Sequence, residues 1–196
     1  MKKARILLPV LLSALLLSAC GETQITSTTI QIDQSGSITH TIIDSFQESY
    51  YDVSEMEEMA GKEAKEFNDS HGGDAVSVES VALEGSDVRL VMKYKDATSY
   101  SAFNSETLFF GTVEDAVNAG YDLDLSLIDL KDNTQYITRD EILAQGDKHI
   151  IITSESVHFI TPSNLAYVSE GVILSSSSRK EADTVPEDAY CYILLK

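Results

Sequence analysis

The sequence predicts an α+β domain: an antiparallel sheet built from hairpins, with two to four helices packed mainly on one face. Three observations predict it. Two pairs of strand-like runs are joined by short turn sequences, Ser/Thr-led capping patterns precede apolar residues at helical spacing, and the C-terminal third reads as successive strands.

Taken in order, "TTIQI" (28–32) and "SITHTIIDSF" (37–46) flank Asp33-Gln34-Ser35-Gly36, whose composition is that of a turn, so a hairpin is expected. Ser54 with Glu57 forms a capping box, and Met56, Met59, Ala60, Ala64 and Phe67 recur at helical spacing. An amphipathic helix over 55–68 follows, ending before Gly72-Gly73. "AVSVESVALE" (75–84), a Gly85-Ser86 turn and "DVRLVMKYK" (87–95) predict a second hairpin, with Val88, Leu90, Met92 and Tyr94 on one face. From Asp96 a short helix carries Ala97, Tyr100 and Phe103 inward. Thr112 with Asp115 opens another, ended by Gly120.

"YDLDLSL" (121–127) alternates leucine with aspartate or serine, the pattern of a half-buried strand. Thr138 with Glu141 is a second capping box, heading a short helix that Gly146 stops. "HIIIT", "SVHFIT", "LAYVSEGVILSS" and "AYCYILL" read as four strands, with Pro162-Ser163-Asn164 as a turn. "SSSSRKEADTVPED" (175–188) is the loop expected to be most mobile.

The N-terminus has its own logic. Lys2, Lys3 and Arg5 precede a 12-residue, largely apolar run from Ile6 to Leu17, followed by the small residues Ser18 and Ala19. This is a signal-peptide pattern, and the run is too short for a helix crossing ~30 Å of hydrocarbon, which takes about 20 residues. Leu17-Ser18-Ala19-Cys20 resembles the lipobox of bacterial lipoproteins, Leu-[Ala/Ser]-[Gly/Ala]-Cys. The resemblance implies that Cys20 receives a diacylglyceryl group and becomes the first residue of the mature chain. Two acyl chains hold a protein on a bilayer stably where one does not. An ordinary secretory peptide would instead leave Cys20 as a thiol or half of a disulfide. The expected organisation is therefore 1–19 signal peptide, 20–28 lipidated cysteine and tether, and 29–196 a single domain.

Only one other cysteine exists, Cys191. A lipidated Cys20 cannot pair with it, so an exported chain would carry an odd thiol. "AYCYILL" is apolar on both sides at period two, which predicts a central strand covered on both faces, where a buried thiol behaves as a small hydrophobe.

Three of the 14 basic residues and none of the 32 acidic ones fall in the leader, so the remaining chain sets eleven positive charges against 32 negative ones, a net −21. No Lys/Arg footprint for nucleic acid is present. With leader and acidity together, the chain resembles the small acidic lipoproteins that Gram-positive bacteria export. That resemblance implies a cell-membrane address on the extracytoplasmic side and carries over no functional residue beyond Cys20.

Motifs for chemistry are sparse. "DLDLSLIDLKDN" (122–133) fails as an EF-hand loop, with Leu127 where Gly is needed and Asn133 where a bidentate Glu is needed. A loose divalent site from Asp122 and Asp124 with Asp129 or Asp132 requires the chain to double back. Ser177-Ser178-Arg179-Lys180 matches S-x-x-K formally but lacks every companion element. His40, His71, His149 and His158 show no ligand spacing, and His40 and His158 are expected as surface or hydrogen-bonded core residues of strands. Tyr94, Tyr100, Tyr190 and Tyr192 fall on core-facing positions. No catalytic, metal or cofactor residue is singled out. The expectation is a non-catalytic binding or assembly module of the envelope, partnered by the membrane through Cys20 and by an envelope protein or ligand. The alternative is an envelope enzyme built from Asp122, Asp124, His71 and His158. Solute capture for a transporter is a weaker third reading.

Overall fold

The structure, a computed structural model, describes residues 25–47, 52–187 and 189–196. Cys20 and its lipobox lie outside the described residues. The fold is α+β, with thirteen strands and four helices among the described residues. The strands divide between two sheets that share one core.

Sheet A has seven strands in the order β11-β12-β9-β1-β2-β4-β3. The first hairpin is β1 (Thr29–Ile32) with β2 (Ile38–Ser45), and the second is β3 (Val76–Glu84) with β4 (Asp87–Tyr94), bulged between Val78 and Ser80. The two hairpins join through β2 and β4, which pair Ile38 with Tyr94 and His40 with Met92. β1 also pairs in parallel with β9 (His158–Ile160).

Sheet B has six strands in the order β5-β8-β13-β10-β6-β7. Its centre is β8 (His149–Thr153) and β13 (Cys191–Leu195), with β5 (Leu108–Thr112) and β10 (Leu165–Val168) on either side. β6 (Leu127–Asp129) and β7 (Tyr136–Ile137) complete it.

Helix α1 (Val53–His71) packs on β3 and α2 (Ala97–Asn104) on β5; α3 (Val113–Asn118) covers β5 and β8, and α4 (Arg139–Leu143) packs on α3. One apolar cluster joins Ile30, Ile38, Met92 and Phe159 of sheet A to Ile151 and Ile193 of sheet B. A second, on the far side of sheet B, joins Ile150, Ile152 and Leu194 to Val113, Ala116 and Ile142. β8 and β13 are thus covered on both faces, as the apolar runs "HIIIT" and "YILL" require. Cys191 is a fully buried free thiol on β13. Burial pushes its pKa up.

Several expectations are corrected. The cap of α1 is Asp52, whose carboxylate accepts from the N–H groups of Ser54 and Glu55 at 2.8 and 3.1 Å, so Ser54 is already inside the helix. The helix runs on to His71 and closes on Gly72, left-handed at φ 75°. Residues 121–126 stay outside the ladder: Leu123 and Leu127 are buried as the alternation predicts, but the Asp122 carboxylate accepts from the Asp124 N–H at 2.9 Å and the Tyr121 N–H bonds the Ala116 carbonyl. Local partners have claimed the donors a strand would offer.

"LAYVSEGVILSS" is not one strand. It breaks at Gly171 (φ 77°) into β10 of sheet B and β11 (Val172–Leu174) of sheet A. A Cβ at Gly171 would lie 2.4 Å from the Val185 carbonyl oxygen, so only glycine fits where the chain changes sheets. The serine-rich segment holds β12 (Glu181–Thr184), seated between β9 and β11 with Ala182 and Thr184 buried. Among the described residues, no helix is long and apolar enough to cross a membrane.

Candidate functional site

The loop 121–126 lies against the start of the last strand. Tyr192 on β13 lies on the opposite face from Cys191 and Ile193, half-buried against the second cluster, and its hydroxyl donates to the Asp122 carbonyl at 3.1 Å, pinning loop to strand. Its backbone N–H donates to the Ser169 hydroxyl at 2.9 Å, and that hydroxyl donates to the Glu170 carbonyl. These bonds draw the 121–126 loop, the 169–170 turn and the 187–192 segment around a groove of about 430 Å³.

Asp122, Asp124, Glu170 and Glu187 supply its carboxylates, and Tyr136, Tyr190 and Tyr192 its rings. The Tyr190 and Tyr192 rings stand 6.4 Å apart at 88°, and Tyr121 backs Tyr190 at 6.1 Å and 80°. Among the described residues none of the four carboxylates forms an ion pair. Arg139 is a near basic group, sharing an adjoining depression with Asp124. Burial, reinforced by the Asp122 charge, raises the Tyr192 phenol, which stays a neutral donor at physiological pH.

The groove therefore offers negative charge and aromatic faces at right angles. Cations are attracted by both: carboxylates through charge, and ring faces through their quadrupoles within about 6 Å. Among the described residues it contains no histidine or cysteine, and its Ser169 hydroxyl is tied to backbone groups. Among the described residues nothing in it pairs a nucleophile with a base.

A comparison with family models, with curated proteins and with solved structures found no match. The site is therefore read from its own chemistry.

Of the predicted candidates, Asp122 and Asp124 share the groove and the two histidines lie elsewhere. His71 ends α1, stacked on Phe67 at 3.9 Å beside a separate depression formed with Gly72, Gly73 and Asp74. His158 sits on β9, its Nδ1 2.9 Å from the Asp183 carboxylate of β12. Asp129 and Asp132 accept from the N–H groups of Lys131 and Thr134 in their own turns, and among the described residues no three His, Cys, Asp or Glu side chains are grouped to hold a metal ion.

Tyr94 and Tyr100 are buried as expected, but Tyr190 and Tyr192 are only half-buried. Glu170, Glu187 and Tyr136 were not legible as site residues: they come from three separated segments, and only the pairing of β13 with β10 and of β6 with β7 brings them together. His40 is buried, yet neither ring nitrogen has a hydrogen-bond partner among the described residues, contrary to the expectation for a core histidine.

Proposed function

We propose that the chain is a lipid-anchored binding module on the extracytoplasmic face of a bacterial cell membrane, held through Cys20, that takes a cation-bearing envelope ligand in the Tyr190–Tyr192 groove. One observation carries the ligand assignment: among the described residues, four carboxylates without ion pairs meet two tyrosine rings at right angles in one groove. The lipobox Leu17-Ser18-Ala19-Cys20 and the absence of any other anchor-like run support the address.

The chain has no tryptophan, and three of its nine tyrosines line the groove, so a change in tyrosine emission includes the groove's own rings. Titration of the mature Cys20→Ser chain with a tetralysine peptide is expected to give a saturable change that Asp124→Asn/Glu187→Gln abolishes. A response reproduced by sodium chloride at equal ionic strength, or untouched by the double variant, overturns the groove assignment. The anchor is tested separately. Wild-type protein should sediment with membranes at high salt and the Cys20→Ser protein should not; a sedimenting variant overturns the anchor.

A further inference from the structure

The edges of the two sheets are finished differently. An edge strand offers a row of backbone donors and acceptors to any other chain, and bulges, charges or a cover keep it from pairing. At one edge of sheet A, β3 is bulged between Val78 and Ser80, and its Glu79 is held by Lys93 of β4. In sheet B the edge of β5 is covered: the Leu108 N–H donates to the Ser101 hydroxyl of α2, which donates to the Leu108 carbonyl. β7 is only two residues long. The other edge of sheet A, β11, is uncharged and unbulged, with Ile173 58% and Leu174 43% exposed.

The register identifies the free groups. The Val185 N–H donates to the Gly171 carbonyl and the Ser175 N–H to the Glu181 carbonyl, so the bonded pairs of the β11–β12 ladder fall at residues 171, 173 and 175. The N–H and C=O groups of Val172 and Leu174 therefore point away from β12. They have no hydrogen-bond partner among the described residues.

The space beside this edge has a shape. β11 packs on β13, and β10, β6 and β7 carry sheet B on past it, so a strand added to β11 would lie over a ledge of sheet B. A second copy paired edge to edge would bring its own sheet B into that space. A single extended segment fits. Where the ledge meets β11, a pocket of about 110 Å³ opens between Leu174 and Leu130 with Leu165, a volume for one side chain. Arg179 and Lys196 line it, with Glu181 as its one carboxylate. Neither cation forms an ion pair among the described residues, in a chain of 32 acidic and 14 basic residues.

We propose that β11 takes an extended acidic segment of a partner protein as an added strand. The free groups of Val172 and Leu174 bond its backbone, an aliphatic side chain enters the Leu130–Leu174 pocket, and its carboxylates meet Arg179 and Lys196. This surface is separate from the tyrosine-lined groove and does not rest on the lipid-anchor reading.

The test measures fluorescence anisotropy of a labelled, alternating Val/Glu peptide against the mature Cys20→Ser chain. Saturable binding is expected, weakened at least tenfold when the peptide's backbone nitrogens are methylated, a change that leaves the protein untouched. It should weaken as much in Leu174→Pro, which removes only an outward-facing N–H, since proline is tolerated on edge strands. Arg179→Glu/Lys196→Glu should weaken it too, while Asp124→Asn/Glu187→Gln should not. Absence of saturable binding, or equal binding of the methylated peptide, overturns the proposal. A Val/Lys peptide that binds as well as Val/Glu overturns the acidic partner. A wild-type dimer in sedimentation that Leu174→Pro dissolves would make the occupant a second copy and end the proposal.

Discussion

The two central strands of sheet B and the inner face of sheet A share one core and solve different problems. In β8 and β13, Ile150, Ile151, Ile152, Ile193 and Leu194 are completely buried, with no side-chain hydrogen bond to satisfy. The inner face of sheet A instead places His40 between Ile30 and Met92, edge-on to Tyr100 at 5.4 Å, with both ring nitrogens unpartnered among the described residues. Tyr100 donates to the Glu155 carboxylate at 3.0 Å, whose other oxygen is buried without a partner among the described residues. A buried polar group lacking a hydrogen bond costs about 1–3 kcal/mol. Sheet B is therefore a sealed foundation. The inner face of sheet A carries the penalty.

The sharpest way to break this comparison is to open the foundation. Ile151→Ala deletes buried aliphatic volume where close packing on both faces limits collapse, so it should cost about 3–4 kcal/mol in chemical denaturation. A cost below about 1 kcal/mol would show that sheet B is loosely packed.

Acidification tests the other region. Burial lowers the His40 pKa from 6.5 to about 4, so the unfolded chain binds the proton first as pH falls. The stability His40 leaves intact above pH 6.5 is then lost as pH drops through that window, by about 3 kcal/mol at pH 4. Glu155 works in the opposite sense. Burial raises its pKa, so its protonation on acidification favours the folded state and offsets part of the loss. His40→Leu should flatten the pH profile measured by urea unfolding. An unchanged profile would mean that the ring finds a partner on protonation.

Within sheet B, Cys191→Ala should cost on the order of 1 kcal/mol, a small core cavity. In a Cys20→Ser background the thiol should resist a labelling reagent until denaturant is added. Rapid labelling of native protein would contradict the double cover of β13.

Much of this contrast was legible in the sequence. The hairpins, the four helices and the two-faced burial of "AYCYILL" follow from periodicity and turn residues, which are local signals. What was not legible depends on distant chain. β12 reads as a polar loop because its inward positions hold only Ala182 and Thr184. Thr184 becomes a strand residue through bonds to Glu155 and Val157, some 27 positions away. The change of sheets at Gly171 is dictated by the Val185 carbonyl, and the tyrosine groove by strand order. His40 reads as an ordinary strand histidine because nothing local reveals that no acceptor faces it.

The smallest expected effect separates the true loop from β12. Deleting Ser176 and Ser177 shortens a polar connection and should change stability by well under ~1 kcal/mol. Extending the deletion to Ala182 removes strand pairing with β9 and should abolish cooperative unfolding.

Hydrogen exchange at pH 7 and pH 4.5, resolved by amide, tests the contrast between the two sheets most directly. The account predicts that amides of β8 and β13 exchange only through global unfolding at both pH values. Those of β2, β4 and α2, the elements around His40, should lose protection first at pH 4.5, and His40→Leu should restore it. Equal loss across both sheets, or earlier loss in β8 and β13, would contradict it.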